Sequence, residues 1–233
     1  MRQLPLRVRL RDAARLASFL PGRNAEVFAL LNGPPSSLPR ALWLWGRAGT
    51  GKTHLLQAVC AAVTEAGGAA AYFDLADGAG GGLLEGCETL DLVCLDGLDA
   101  VASDAGWNAA IFRLYTLMQD GHGRLLVASV GPPAGLPFAL ADLRSRLLAA
   151  SVHQLHALDE AGQRAALQLR AARRGLELSD EAALYLVHRL PRDLHSLFAV
   201  LDRLDEASLA AQRRLTIPFL REVLDARAAR GGD

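Results

Sequence analysis

A short glycine-rich segment between an apolar run and a helical pattern constrains this chain most. Gly46-Arg47-Ala48-Gly49-Thr50-Gly51-Lys52-Thr53 matches the phosphate-binding pattern G-x-x-x-x-G-K-S/T at every fixed position. The preceding run, 41–45, is apolar throughout, as strands buried in parallel sheets are, and the following residues predict a helix of about 52–66. A strand, a glycine loop and a helix in this order predict a parallel α/β sheet that binds a nucleotide.

Lysine usage supports the same prediction. The chain has 25 Lys+Arg, and Lys52 is its only lysine, which leaves 24 arginines. A compact ammonium and a planar guanidinium differ chemically, so the one retained lysine marks a site where that difference matters. Backbone N–H groups of such a loop cradle phosphates at a helix N-terminus. The predicted nucleotide-binding residues of this segment are Gly46, Ala48, Gly49, Thr50, Gly51, Lys52, Thr53 and His54.

The rest of the chain shows two kinds of pattern. Apolar runs predict further strands at 70–75, 92–96, 124–129 and 152–156, with helices at about 23–32, 106–120 and 139–149. After Asp159 only helices are predicted, at about 159–174, 179–190, 191–211 and from 216. We expect a parallel five-stranded sheet with helices on both faces, followed by a small all-α lid domain. The predicted domains are a tail, 1–10, a base domain, 11–157, and the lid, 158–233.

Composition excludes several classes of protein. Half of the chain is hydrophobic (51%) and the formal net charge is +0, so we do not expect it to hold DNA by charge alone. No apolar stretch reaches the roughly 18 residues that span a bilayer, and no signal peptide is evident. The three cysteines match no metal-binding spacing, and buried thiols are the expectation. We predict a cytoplasmic protein with no membrane partner.

A second acidic position completes the predicted nucleotide site. Asp96 ends an apolar run 44 residues after Lys52, where a Walker B carboxylate would hold Mg²⁺ together with the Thr53 hydroxyl. The alternative is a turn aspartate before Gly97. Many P-loop ATPases carry a second, water-orienting acid directly after the first, but this chain has Gly97 there. Asp99 lies two residues further and is expected to face elsewhere, so we expect weak hydrolysis by the chain alone.

Three arginines and the N-terminal tail are further candidates for contacts with a nucleotide or with a partner protein. Arg144 and Arg146 precede the last predicted strand, where an arginine can act on a neighbouring subunit's γ-phosphate. Arg192 could contact the nucleotide as a sensor. Solvated surface arginines are the alternative in each case. The tail segment Gln3-Leu4-Pro5-Leu6 has the character of a peptide that docks into a partner's pocket, or it has no function. The glycine-rich stretch 78–82 suggests only flexibility.

Together these segments resemble the Hda family, AAA+ relatives of the replication initiator DnaA. The matching segments, in chain order, are the Gln-Leu-x-Leu tail, Phe19-Leu20-Pro21-Gly22-x-Asn24, Walker A, Val93-Cys94-Leu95-Asp96, Trp107-x-x-Ala110-Ile111-Phe112-x-Leu114-Tyr115, Ser145-Arg146-Leu147, Leu167-Gln168-Leu169-Arg170-Ala171 and Ala211-Gln212-Arg213-Arg214-Leu215-Thr216-Ile217-Pro218-Phe219. The last string is the most specific, because no general ATPase chemistry requires it. The resemblance covers nearly the whole chain.

The resemblance implies an ADP-bound regulator of replication initiation. Such a protein docks on the DNA-loaded sliding clamp of DNA polymerase III and promotes hydrolysis of DnaA-bound ATP, which prevents re-initiation. Its partners would be DnaA, the clamp, DNA through the clamp, and a second copy in a homodimer. By position, the tail residues Gln3, Leu4 and Leu6 match the clamp-binding motif, and Leu20, Pro21 and Asn24 match the adenine pocket. Arg146 matches the arginine finger that acts in trans, and Arg192 matches sensor 2.

Departures from the family limit what the resemblance implies. Pro5 occupies the middle of the tail motif, and Arg7-Val8 replaces its usual closing residue, so clamp contact could be weaker. Ser129 is followed by Val130-Gly131 rather than the Asp-Arg pair of relatives, which makes Ser129 an open question as sensor 1. Walker A is intact here, which leaves ADP or ATP, with Mg²⁺, as the nucleotide.

Other functions stay open at this point. A DnaC-like helicase loader would need a helicase-binding N-terminal segment, and the short tail argues against one. A stand-alone P-loop ATPase or kinase would need turnover, against which Gly97 argues. A passive adaptor would bind nucleotide only to hold its shape. DnaA itself is disfavoured because no helix-turn-helix is predicted after the lid, and because no Lys or Arg lies between Asp74 and Asp91 to bind single strands.

Overall fold

The computed structural model describes residues 14–78, 80–190, 194–211 and 215–228. These residues form two compact units. The first contains residues 14–17, 26–45, 52–78 and 80–154. The second contains residues 18–25, 46–51, 155–190, 194–211 and 215–228.

The described part of the first unit contains one five-stranded parallel sheet. Its strands are β1 (Ala41–Trp45), β2 (Ala70–Asp74), β3 (Leu92–Asp96), β4 (Arg124–Ser129) and β5 (Ser151–Gln154). Their order in the sheet is β2-β3-β4-β1-β5, and every neighbouring pair is parallel. The predicted strands are confirmed, although β2 ends one residue before the predicted 70–75 does, and β5 begins and ends earlier than the predicted 152–156.

The helices of this fold are α1 (Ala25–Leu31), α2 (Lys52–Glu65), α3 (Ala105–Asp120) and α4 (Ala141–Leu148). Helix α1 is shorter than predicted, because residues Gly22–Asn24 before it form a 3₁₀ turn. Helix α3 begins at Asp104, whose carboxylate accepts a hydrogen bond from the Trp107 N–H at 2.8 Å. This N-cap satisfies one of the amide groups that a helix start leaves without a partner.

Helices cover both faces of the sheet, as the sequence predicted. Trp43, Val93 and Val127 point to one face and pack in a buried cluster with α3 and α4. Alternate residues point to the other face, where the Cys94 thiol donates to the Leu56 carbonyl of α2 at 3.6 Å. Because both faces are covered, the strands are apolar throughout rather than alternating.

The second unit contains the all-helical lid. Its helices are α5 (Glu160–Arg173), α6 (Asp180–Arg189), α7 (Leu194–Ala211) and α8 (Ile217–Ala228). The Asp159 carboxylate caps α5 by accepting from the Gly162 N–H at 2.8 Å, and the Ser179 hydroxyl caps α6 by accepting from the Ala182 N–H at 3.2 Å. Both caps were predicted from the sequence. Helix α7 was predicted to begin at Pro191, which lies outside the described residues.

The lid has its own apolar core. Fully buried leucines from all four of these helices share it: Leu167, Leu186, Leu201 and Leu220 are among them. An ion pair joins Arg174, the C-cap residue of α5, to Asp202 of α7, at 2.8 Å between guanidinium and carboxylate. In the described ranges no helix is both long and apolar enough to cross a membrane. The three cysteines are buried free thiols, as expected.

Candidate functional site

The carboxyl ends of the central strands bring the predicted catalytic positions to one edge of the sheet. Asp96 is the last residue of β3 and Ser129 the last of β4, and in the sheet register Trp45 of β1 lies opposite Ser129. Open α/β sheets bind ligands outside the carboxyl ends of their strands. The P-loop, 46–51, follows β1 directly along the chain.

Asp96 is buried and holds two hydroxyl groups. Its carboxylate is 7% exposed. Its Oδ2 atom accepts a hydrogen bond from the Thr53 hydroxyl at 2.5 Å and another from the Tyr72 hydroxyl at 2.9 Å. A buried carboxylate needs such donors, because without them its charge would be poorly solvated. The structure therefore joins the two predicted Mg²⁺ ligands and adds Tyr72, which the sequence analysis did not select.

Lys52 lies in the electrostatic field of two acids. Burial lowers the pKa of Lys52 below its ordinary value, and the negative charges of Asp96 and Asp99 offset part of that effect by raising it. The carboxylates of buried Asp96 and exposed Asp99 favour the charged form of Lys52, and an ammonium group is suited to bind phosphate oxygens.

The donor set fits Mg²⁺ bound together with a nucleotide. Thr53 and Asp96 offer hard oxygen ligands, which Mg²⁺ prefers, and Mg²⁺ commonly takes its remaining ligands from water and phosphate. In the described part of the chain no cluster of three or more His, Cys, Asp or Glu side chains could hold a metal ion by itself. A metal ion would therefore fit here only when it is bound together with nucleotide phosphates, whose negative charge it would neutralise.

The position after Asp96 has a backbone that favours glycine. Gly97 has a φ of +75°, in the left-handed region. A β-carbon at this position would lie 3.8 Å from a carboxylate oxygen of Asp74, so an acid here would combine backbone strain with a neighbouring like charge. The absence of a second acid at residue 97 thus agrees with the local geometry.

Asp99 is exposed and lies three residues after Asp96. The sequence predicts that it faces away from the nucleotide site, and its negative charge nevertheless raises the pKa of Lys52. One of its carboxylate oxygens also accepts a hydrogen bond from the Val130 N–H at 2.8 Å, which ties the segment after β3 to the segment after β4. An acid is therefore present near the phosphate-binding lysine, although it is committed to a backbone amide.

Ser129 is fully buried, with 0% exposure. Its hydroxyl oxygen accepts a hydrogen bond from the Trp43 indole N–H at 2.7 Å, and the hydroxyl donates to the Gly131 carbonyl at 2.5 Å. The proton of Ser129 is thus directed at the backbone of its own loop. In this geometry Ser129 supports the sheet edge and does not present a donor to a nucleotide.

The P-loop residues 46–51 belong to the second unit. Gly49 and Gly51 have φ values of +77° and +96°, which only glycine adopts without strain. The Thr50 side chain is buried and its hydroxyl donates to the Arg47 carbonyl at 2.9 Å, which closes the loop on itself. A β-carbon at Gly46 would lie 2.5 Å from the Leu155 carbonyl oxygen, so the backbone of the segment after β5 excludes any side chain there.

The predicted adenine-pocket residues also lie in the second unit. Leu20 and Pro21 are half-buried, while Asn24 is 4% exposed. The Asn24 amide group donates to the His156 carbonyl at 2.9 Å, and its oxygen accepts from the His156 N–H at 2.8 Å. The Asn24 side chain thus pairs with the backbone of His156 as a neighbouring strand would. This pairing fixes the segment that leads into the lid.

Phe19 and His54 have contacts of their own. Gly51 leaves space for the Phe19 ring, since a β-carbon at Gly51 would lie 2.7 Å from that ring. His54, in the first turn of α2, has its Nε2 atom 3.2 Å from the Arg15 carbonyl oxygen. Phe19 belongs to the segment that resembles the family, but it is not among the predicted site residues. In the structure its ring packs against the backbone of Gly51.

The candidate arginine finger lies on α4. Arg146 is exposed, and its guanidinium carbon lies 5.7 Å from the centre of the Phe112 ring of α3. Arg144 is also exposed, with its guanidinium 3.5 Å from the Ala134 carbonyl. Arg192 and the tail residues Gln3, Leu4 and Leu6 lie outside the described residues, so their predicted roles stay predictions.

The comparisons with known proteins agree with this architecture. Residues 159–224 match the family model described as the lid domain of Hda. Domain III from the Thermotoga maritima replication initiation protein DnaA is 19% identical with a TM-score of 0.76, over 91% of this chain and 96% of that chain. AMPPCP-bound DnaA from Aquifex aeolicus is 20% identical with a TM-score of 0.69, over 84% and 66%. The Thermotoga maritima RuvB Holliday junction branch migration motor is 15% identical with a TM-score of 0.62, over 81% and 62%.

At these identities the solved structures establish the fold, which is the AAA+ arrangement of a five-stranded P-loop sheet followed by a helical lid. The lid match concerns the C-terminal domain, residues 159–224, which is similar to the lid domain of Hda. The chain therefore combines the fold of DnaA domain III with a C-terminal segment that matches the Hda lid domain.

Proposed function

We propose that this protein regulates chromosomal replication initiation by promoting hydrolysis of ATP bound to DnaA. The observation that carries the proposal is the Hda lid match at residues 159–224, on a chain whose fold is that of DnaA domain III. The resemblance to the Hda family implies this activity, and by position in the sequence it assigns roles to the P-loop, Asp96 and Arg146.

The nucleotide held by this chain would be ADP or ATP, with Mg²⁺. Lys52 would neutralise the phosphate oxygens, and Thr53 and Asp96 would hold the metal. The solved Aquifex DnaA relative was determined with AMPPCP, a nucleotide analogue, which supports a nucleotide here. Glycine at residue 97 supports a nucleotide that sets conformation rather than one that turns over quickly.

The residue that would act on DnaA is Arg146. Its exposed position on α4 leaves the guanidinium accessible to another molecule, and its contact with the Phe112 ring is weak enough to be exchanged. An arginine supplied in trans stabilises the charge of the phosphoryl-transfer transition state and raises the rate by about 10³–10⁵. Docking on the sliding clamp through Gln3, Leu4 and Leu6 would bring this arginine to DnaA on DNA.

The test measures conversion of DnaA-bound ATP to ADP on clamp-loaded DNA. We expect wild type to accelerate the conversion and Arg146→Ala to leave it at the rate of DnaA alone. Arg144→Ala is the matched control, since it removes an exposed arginine two residues away on the same helix, and it should retain wild-type activity.

The outcomes separate the function from the residue assignment. No acceleration by wild type would contradict the proposed function. Full activity of Arg146→Ala combined with loss in Arg144→Ala would keep the function and move the finger to Arg144.

A further inference from the structure

The Walker B carboxylate has an unassigned partner on the neighbouring strand. Tyr72 lies in β2, opposite Cys94 of β3 in the sheet register, two residues before Asp96. Side chains two residues apart on a strand lie on the same face. The phenol extends along this face toward the carboxyl edge, and its hydroxyl reaches the Asp96 Oδ2 atom at 2.9 Å.

Helix α2 also acts on Tyr72. Burial, the charge of Asp96 and the hydrogen bond to Asp96 raise the pKa of Tyr72 far above its ordinary value, while the Gln57 side chain of α2 lowers it in part. A phenol is already protonated at neutral pH, so Tyr72 is the donor in the 2.9 Å hydrogen bond to Asp96.

Two donors on one oxygen restrict how the carboxylate can turn. The torsion that rotates an aspartate carboxylate is intrinsically broad, so its orientation depends on hydrogen-bond partners. Thr53 and Tyr72 both donate to Oδ2 of Asp96, from α2 and from β2. Thr53 alone would be a weak constraint, since its hydroxyl oxygen is itself a predicted metal ligand.

We propose that Tyr72 is a positioning residue that holds the Asp96 carboxylate for the metal of the bound nucleotide and thereby sets the Mg²⁺ dependence of nucleotide binding. This inference rests on the nucleotide binding proposed above, but not on any action on DnaA. Because residue 97 is glycine, no side chain at the position after Asp96 can orient this carboxylate, and Tyr72 of β2 does so instead.

The experiment titrates ADP binding by calorimetry, in EDTA and over a series of Mg²⁺ concentrations, with the full-length chain. In Tyr72→Phe we expect the Mg²⁺ concentration for half-maximal enhancement of affinity to rise about fivefold, as partial loss of a hydrogen bond to a charged group predicts. The metal-free affinity for ADP should stay within about twofold of wild type, because the proposed role of Tyr72 is to orient a metal ligand and not to bind phosphate.

Two further variants make the result interpretable. Tyr115→Phe removes the hydroxyl of a buried tyrosine in the cluster on the opposite face of the sheet, and should leave the Mg²⁺ midpoint unchanged. Gln57→Leu removes the α2 side chain that acts on Tyr72 and should shift the Mg²⁺ midpoint in the same direction by a smaller factor. Gln57→Leu also tests the proposal if Tyr72→Phe does not fold, as judged by thermal melting.

Several outcomes would overturn the proposal. One is an unchanged Mg²⁺ midpoint in a folded Tyr72→Phe. Another is an equal loss of metal-free and metal-bound affinity, which would make Tyr72 merely structural. Wild-type ADP binding without any Mg²⁺ effect would also reject it. Absence of ADP binding by wild type would reject the nucleotide part of the proposed function as well, and that result is visible before any variant is compared.

Discussion

The hydrogen-bonded pair of Asn24 and His156 gives a quantitative test of how the second unit is held together. Asn24→Ala removes both hydrogen bonds, one of 2.9 Å and one of 2.8 Å, that join the turn before α1 to the segment after β5. The two partners are 132 residues apart along the chain, so this contact is tertiary and not local. The substitution leaves a backbone N–H and a backbone C=O of His156 without their partner.

The magnitude follows from the burial of the two residues. An unsatisfied buried polar group costs about 1–3 kcal/mol. Asn24 is buried, but His156 is only half-buried, so water can replace part of the loss on the His156 side. We therefore expect Asn24→Ala to lower the free energy of unfolding by about 2 kcal/mol in total.

The assay is urea denaturation followed by circular dichroism. With slopes of about 1–3 kcal/mol per molar urea, a loss of this size lowers the midpoint by about 1 M. Asn24→Asp should be at least as destabilising, because it keeps the acceptor for the His156 N–H but turns an oxygen toward the His156 carbonyl. Asn32→Ala, at an exposed asparagine just after α1, is the matched control and should change stability by less than about 0.5 kcal/mol. A midpoint for Asn24→Ala equal to that of Asn32→Ala would refute the structural role of the pair.

Two other predictions concern the sheet edge and the tail. Ser129→Ala should destabilise the protein by about 1–3 kcal/mol, since it leaves the buried Trp43 indole N–H without an acceptor; Ser103→Ala, at an exposed serine, should not, and equal urea midpoints for the two would contradict this. Replacing Gln3 and Leu4 together by Ala should abolish retention of the protein by an immobilised sliding clamp, and undiminished retention would reject the clamp-binding assignment.

Local sequence patterns predicted the elements and the phosphate-binding residues. The run 41–45 had to be a covered strand because it is apolar on both faces, and Gly49 and Gly51 of the P-loop have a left-handed backbone that favours glycine. Asp159 and Ser179 predicted the starts of two lid helices, because their side chains can accept hydrogen bonds from amides of the first helical turn. Each of these signals lies within a few residues, where spacing alone determines the geometry.

Strand order decided which side chains meet, and spacing along the chain could not reveal it. Tyr72 reaches Asp96 only because β2 lies beside β3, and the sequence around Tyr72 shows nothing but another residue of a buried strand. Gly81 appeared to be part of a flexible stretch, yet a β-carbon there would lie 2.7 Å from the Ala110 β-carbon of α3. Close packing, and not only backbone freedom, accounts for glycine at that position.

Local patterns were enough to predict a P-loop sheet with a helical lid, and to select Lys52, Thr53 and Asp96 by chemistry that few other residues can supply. How those groups are held is visible only in the folded chain. There Tyr72 donates to Asp96, Trp43 donates to Ser129, the charge of Asp99 acts on Lys52, and Asn24 pairs with His156. A hydrogen bond between distant residues depends on where the folded backbone brings them, and no local pattern encodes that position.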